Sequence, residues 1–211
     1  MITQVVSKSP ASAHFLSVLL HVAATGALWA FMRRYTGSRV VAAGAALLFA
    51  LHPTHAESVA WVSGATDSLA TLFGFSALLA LLISRPTLTG QGVRAPHLNG
   101  QLLAVGLYSL ALFSKETAIV FLCFPALLAL LGAPHRPWRP RAFDAVRVTM
   151  PWLCATLIYL LIRSLVIGEL APIRMEVTRN QINPTTILLL GTYVEHLALP
   201  GALSISYPIT V

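Results

Sequence analysis

The stretch LLFALHPTHAESVAWVSGATDSLATLFGFSALLALLIS, residues 47–84, decides how the chain is read. From about residue 56 to 84 it is one apolar run, interrupted by Ser63-Gly64 and by Asp67. A helix apolar around its whole circumference has lipid for a neighbour, or a large core. The rest of the chain selects lipid. Of 211 residues, 56% are hydrophobic and only 10% are charged, where a soluble domain has about a quarter charged. The mean hydropathy is +0.76. So few charges cannot cover a soluble surface, which excludes ordinary soluble enzymes, nucleic-acid binders and disordered tails.

Six more apolar runs flank the central one. They lie at about 14–32, 40–51, 101–113, 117–131, 146–168 and 185–199. The predicted fold is therefore an all-α polytopic membrane protein with about six to seven transmembrane helices. The second run is short and stops at His52-Pro53, the fifth contains Pro125, and the seventh holds Glu195 and His196. Residues 86–100 and 132–145, rich in Pro, Gly and Arg, read as loops, and 169–184 as a polar stretch. Cys123 and Cys154 sit in apolar surroundings and read as buried, inert thiols.

The net charge of +7 is mostly a topology signal. Alternating helices sort the loops into two sets. One holds nine cations: Arg33, Arg34, Arg39, Arg85, Arg94, Arg136, Arg139, Arg141 and Arg147. The other holds Lys115, Arg174 and Arg179. Positive loops stay cytoplasmic, which puts the second set and the N-terminus on the opposite side. The string His52-Pro-Thr-His55-Ala-Glu57, Asp67 and the Lys115-Glu116 turn all fall on that non-cytoplasmic face.

Those clusters hold the candidate chemistry. A carboxylate within a bilayer costs about 2.5–3.5 kcal/mol on insertion scales, so Asp67 is expected either to face a polar cavity or to pair with a neighbouring helix. Thr54 and Glu57 match a capping box, which would explain them without function. His52, His55, Glu57 and the nearby Trp61 equally suit an acid/base or sugar-binding mouth, and a metal site from His52, His55 and Glu57 is a third reading. Ser114-Lys115-Glu116-Thr117 reads as an ion pair at a tight turn or as a phosphate anchor. Arg163 could hold a lipid phosphate or snorkel. His21 reads as a packing residue. No Walker A, GxGxxG, GxSxG or HExxH motif is present.

LLFALHPTHAESVAWVSGATDSLATLF (47–73), LALFSKETAIVFL (110–122) and NPTTILLLGTYVEHLALPGALSISYPI (183–209) resemble the transmembrane and tetratricopeptide-repeat proteins. These are polytopic O-mannosyltransferase-like proteins of the GT-C glycosyltransferase superfamily. HFLSVLLHVAATGALWAFMRRYTG (14–37) is similar to their second membrane helix. The resemblance implies transfer of a sugar from a polyprenyl-phosphate donor to a protein or other acceptor on the non-cytoplasmic face. It implies Glu57 and Asp67 as catalytic carboxylates and His52, His55, Lys115 and Glu116 around the substrate, to which Arg163 is added as the cation that could hold the lipid phosphate. The partners implied are membrane lipids, the lipid-linked sugar and the acceptor, with no nucleic acid. No cofactor beyond the lipid-linked donor is specified, and dependence on a divalent metal is left open.

The family's first helix and first large loop, which usually carries a catalytic acid, would precede residue 14, and its repeats would follow Val211. Residues 1–211 are thus expected to form a partial GT-C-like transmembrane domain, in which Glu57 and Asp67 could be supporting residues. Two other readings compete. A secondary transporter would also use interrupted helices and intramembrane charges, but would carry polar residues down to the midplane. A non-catalytic membrane scaffold is the third. The Ala- and Arg-rich composition favours a bacterial inner membrane over the endoplasmic reticulum.

Overall fold

A computed structural model describes residues 10–61, 64–84, 98–132, 135, 137–167 and 191. The expected seventh run at 185–199 falls almost wholly outside the described residues, as do Arg85, Arg94, Arg136, Arg174 and Arg179. Two α-helices open the chain, α1 (Pro10–Thr36) and α2 (Arg39–Leu51), and a 3-10 turn (Pro53–His55) leads to the short α3 (Ala56–Ala60). Then come α4 (Ala65–Ile83), α5 (Leu98–Ser114), a 3-10 segment (Glu116–Leu122), α6 (Cys123–Leu131) and α7 (Trp138–Ile167).

Local chemistry sets the breaks. Gly37, at φ +72, ends α1, with its N–H donating to the Arg33 carbonyl at 3.1 Å. Only glycine adopts that conformation at little cost. Ser38 then caps α2 by accepting from the Val41 N–H at 3.3 Å, so two residues reverse the chain. Pro53 ends α2. Pro125 stands third in α6, where its missing N–H has no intrahelical use, and the residues before it wind as a 3-10 helix instead. Pro140 is likewise third in α7. That is why α7 starts at Trp138, although the arginine- and proline-rich 132–145 reads as a loop. The Arg141 guanidinium turns back to donate to the Leu130 carbonyl near the end of α6.

Three of these helices, α1, α4 and α7, are long and apolar enough to cross a membrane. The expectation of six to seven spans exceeds this number. At 1.5 Å per residue α2 is about 20 Å long and α5 about 25 Å, short of a hydrocarbon core of about 30 Å. Both are cut short by the polar breaks at His52-Pro53 and Lys115. The segment Glu116–Leu131 is the third of the shorter apolar helices. The described residues are helical, with many large apolar side chains pointing outward, among them Leu48, Leu51, Leu102 and Leu165. That is the surface of an integral membrane protein.

Helix α4 is the centre, packed between α1 and α5. It presents small residues, Ser68, Ala70, Gly74 and Ala77, to its neighbours, as membrane helices do to pack closely. Gly74 is needed where it stands: a Cβ there would lie 2.3–2.6 Å from the Phe121 ring. Helix α2 buries only Ala42 and Ala46. Helices α5 and α7 run parallel, held by Gln101 to the Val148 carbonyl at 3.0 Å and Tyr108 to Thr156 at 2.8 Å. Trp152, fully buried, lies against Tyr108 with ring centroids 4.7 Å apart.

Cys123 and Cys154 are exposed, not buried. Both sit on outward faces of α6 and α7. An apolar neighbourhood in the sequence marks lipid-facing surface here as readily as core.

Candidate functional site

The helix breaks expose the polar groups. At the end of α2, His52 adopts an extended backbone and its Nδ1 accepts from the Thr54 N–H at 3.4 Å. Nδ1 must then be the unprotonated nitrogen, so the Thr54 hydroxyl donates to it at 2.8 Å. His52 is thus the cap of the 3-10 turn, and the capping box read for Thr54 also needs the Glu57 side chain. The side chain of Glu57 lies outside the described residues.

His55 packs against Phe49 at 4.2 Å between ring centroids and against His21 at 5.5 Å. His21 stacks on Phe49 and its Nε2 lies 3.4 Å from the Ala50 carbonyl, the packing role read for it in the sequence. His52 and His55 face edge to face at 6.3 Å. Burial holds the His55 imidazole below its ordinary value of 6.5, helped by the charges of His21 and His52 and opposed by Asp67. The sign follows from linkage. A base whose folded pKa is lowered binds fewer protons folded than unfolded, so its contribution is intact above 6.5 and is lost as pH falls below it. Thermal unfolding at stepped pH should show His55→Gln losing stability less steeply than wild type between about pH 7 and 5. An unchanged slope would place His55 in water.

Asp67 is in the first turn of α4. Across from it, Lys115 breaks the chain between α5 and the 3-10 segment in an extended conformation, φ −157 and ψ 136. The extended residue swings its side chain off the α5 face. Its ammonium lies 2.6 Å from both carboxylate oxygens of Asp67. Each of the two side chains is about a third exposed, 34% for Lys115 and 37% for Asp67. The next residue, Glu116, is 3.5 Å from the Arg163 guanidinium, which also donates to the Tyr159 hydroxyl at 3.2 Å. A line of alternating charge thus runs from α4 through the 115–116 break to α7.

Beside the Asp67–Lys115 pair is a cleft of about 440 Å³, lined also by Thr54, Ser58, Trp61 and Thr66. It offers a carboxylate, a cation, hydroxyls and an indole that is 48% exposed. The structure thus brings Asp67 and Lys115 into contact, Glu116 and Arg163 into contact, and sets the His52–His55 pair on the adjoining turn. Sequence reading missed Ser58 and Thr66 as lining groups. Their signal was present, hydroxyls within one or two turns of Trp61 and Asp67. It also missed Tyr159, whose role depends on a contact with Arg163 that can be inferred only once both are on a helix, four residues apart. Among the described residues no three His, Cys, Asp or Glu side chains gather to hold a metal ion.

The opposite end of the bundle is basic. Arg33, Arg34 and Arg39 flank the α1–α2 turn, and Arg139, Arg141 and Arg147 lie in the first part of α7. The parallel register of α5 and α7 puts these latter three far from Arg163.

Fold and cleft together define a helical membrane protein with a charged, hydroxyl-lined cleft at one end. Comparison with known proteins gives the family resemblance. Over 74 residues, 35% of this chain, it is 39% identical to protein O-mannosyl-transferase TMTC2 of Mus musculus, and equally to that of Homo sapiens. Over 128 residues, 61% of the chain, it is 33% identical to protein O-mannosyl-transferase Tmtc1 of Drosophila melanogaster. The matches span 9% and 14% of those relatives, so the chain corresponds to a small part of each. The resemblance read from the sequence is borne out as partial homology to these transferases. No family model matches the chain, and no solved structure does. These relatives are from animals, and the preference for a bacterial membrane finds no support.

Proposed function

We propose that this chain forms the donor and acceptor cleft of a GT-C-like membrane glycosyltransferase of the O-mannosyltransferase type, as part of a longer protein. The donor is a polyprenyl-phosphate sugar and the acceptor a protein hydroxyl, both reaching the cleft from the non-cytoplasmic face. One observation carries the reading: an acid and a cation in direct contact on the wall of a cleft that also holds an exposed indole and several hydroxyls. Indole faces and hydroxyls suit a sugar ring, and a compact ammonium suits a phosphate. In the transfer, Asp67 takes the proton from the acceptor hydroxyl while that oxygen bonds to the sugar's anomeric carbon. The bond from that carbon to the phosphate oxygen breaks, and its electron pair leaves with the polyprenyl phosphate, whose charge Lys115 meets. Arg163 and Glu116 bound the lipid side, His52 and His55 the acceptor side, and Glu57 is a second candidate base.

The apolar packing beneath the cleft favours this over transport. Phe31, Phe121, Leu78 and Leu81 belong to one buried cluster, with the partly buried Phe75 packed against it, where a solute path would need polar groups.

The sidedness of the site is tested by cysteine labelling. Because Cys123 and Cys154 are exposed, both are first replaced by alanine. Ala56→Cys should then react with a membrane-impermeant maleimide from outside, and Ala142→Cys only from the cytoplasmic side. The reverse pattern would sink the proposed orientation. Turnover of polyprenyl-phosphate mannose by the full-length protein tests the chemistry.

A further inference from the structure

We propose that Lys115 changes partners when a phosphodiester enters the cleft, leaving the Asp67 carboxylate for the phosphate and so releasing Asp67 to accept a proton. This rests on the glycosyl-transfer reading above and adds to it an order of events: donor first, base second.

The geometry supplies the reasons. The Lys115 ammonium lies 2.6 Å from both Asp67 oxygens, so the carboxylate is fully engaged. An acceptor hydroxyl that approaches Asp67 meets only oxygens already in contact with the ammonium, so the cation stands in the way of the proton transfer. The same ammonium cannot give its full charge to a phosphate while it holds the acid. Without a ligand each group blocks the other's chemistry.

Exchange is nevertheless easy. Both side chains are about a third exposed and line the cleft, so the pair is screened and weakly held. Lysine is a point charge on a flexible stem and can turn without losing a fixed two-pronged geometry. Its backbone stands at a break, outside the helical face. The neighbouring acid does not compete for Lys115, since Glu116 is turned to Arg163, and Arg163 is steadied by Tyr159. The two cations thus have different standing: Lys115 is movable and Arg163 is braced.

The exchange makes a prediction opposite to that for a simple binding acid. The full-length protein in lipid nanodiscs is titrated with citronellyl mannosyl phosphate, a short phosphodiester, by calorimetry. Asp67→Asn removes the competitor for Lys115 and should bind the probe tighter, by about fivefold. Lys115→Met should bind it at least about tenfold more weakly. If wild type binds the probe and Asp67→Asn binds it equally or more weakly, the exchange is wrong while the transferase reading stands. If neither wild type nor Asp67→Asn binds it, the site reading itself falls, and the exchange with it. An infrared difference spectrum of the wild type, with and without the probe, gives a reading that needs no folded variant. The exchange requires the Asp67 carboxylate stretch to shift, and a bound probe that leaves the carboxylate bands unmoved overturns it.

Discussion

Asp67→Asn in the full-length protein should lower mannosyl transfer by about 10²–10⁴-fold, the usual worth of a positioned general base. Asparagine keeps the size of the side chain and cannot take the acceptor's proton. The loss should appear in kcat, with KM for the donor unchanged or lower, because the variant frees Lys115 from its 2.6 Å partner. Lys115→Met should show the other pattern, with KM rising along with a fall in kcat. The contrast separates a reacting group from a charge that merely holds the turn together. If Asp67→Asn turned over donor at the wild-type rate, the base would have to be sought elsewhere, with Glu57 the next residue to replace.

Trp152→Ala should be the most damaging change to the bundle, at about 3–5 kcal/mol. Trp152 is fully buried and packs against Tyr108 between α5 and α7. In a bilayer the stability of such a contact comes from packing more than from escape from water, so the void is the main cost. The indole N–H has no hydrogen-bond partner. Trp152→Phe should therefore cost much less, about 1 kcal/mol, since it loses volume and no bond. Unfolding in bicelles with increasing denaturing detergent measures both. A Trp152→Ala loss below about 1 kcal/mol would mean that α5 and α7 are not packed through this ring.

The helices were legible wherever composition and punctuation agree. Arg33 to Ser38 marks the first turn, His52-Pro53 the end of α2, and Ser63-Gly64 the gap before α4, and each can be read from residue types alone. The start of α7 was not legible, because a proline in a helix's first turn looks the same in sequence as one in a loop. Nor was the outward placement of Cys123 and Cys154. Beside lipid, hydrophobicity no longer tells inside from outside. The number of spans is less legible for a related reason: an apolar run marks immersion, its length alone says whether it crosses, and three of the described helices are long enough.

In the site, sidedness brought His52, His55, Asp67, Lys115 and Glu116 to one end of the molecule before any contact was known. The pairing itself could not be read. Asp67 and Lys115 are separated by 48 residues, and either Asp67 or Glu116 could have claimed the lysine. The choice is made by the extended backbone at Lys115 and by Arg163, which holds Glu116. Neither is a property of the local sequence.

The parallel pairing of α5 with α7 has a metrical side. Gln101 meets Val148, Tyr108 meets Thr156, Phe113 meets Tyr159 and Glu116 meets Arg163, so the two helices stay in step over their length. They work as a pair of matched rulers, zeroed at the basic end and read at the cleft. A residue added between α6 and α7 alters neither scale. One added inside α7, after Trp152, advances every later mark by a rise of about 1.5 Å and a turn of about 100°. Arg163 would then point away from Glu116, and the acid beside Lys115 would be free to compete for it.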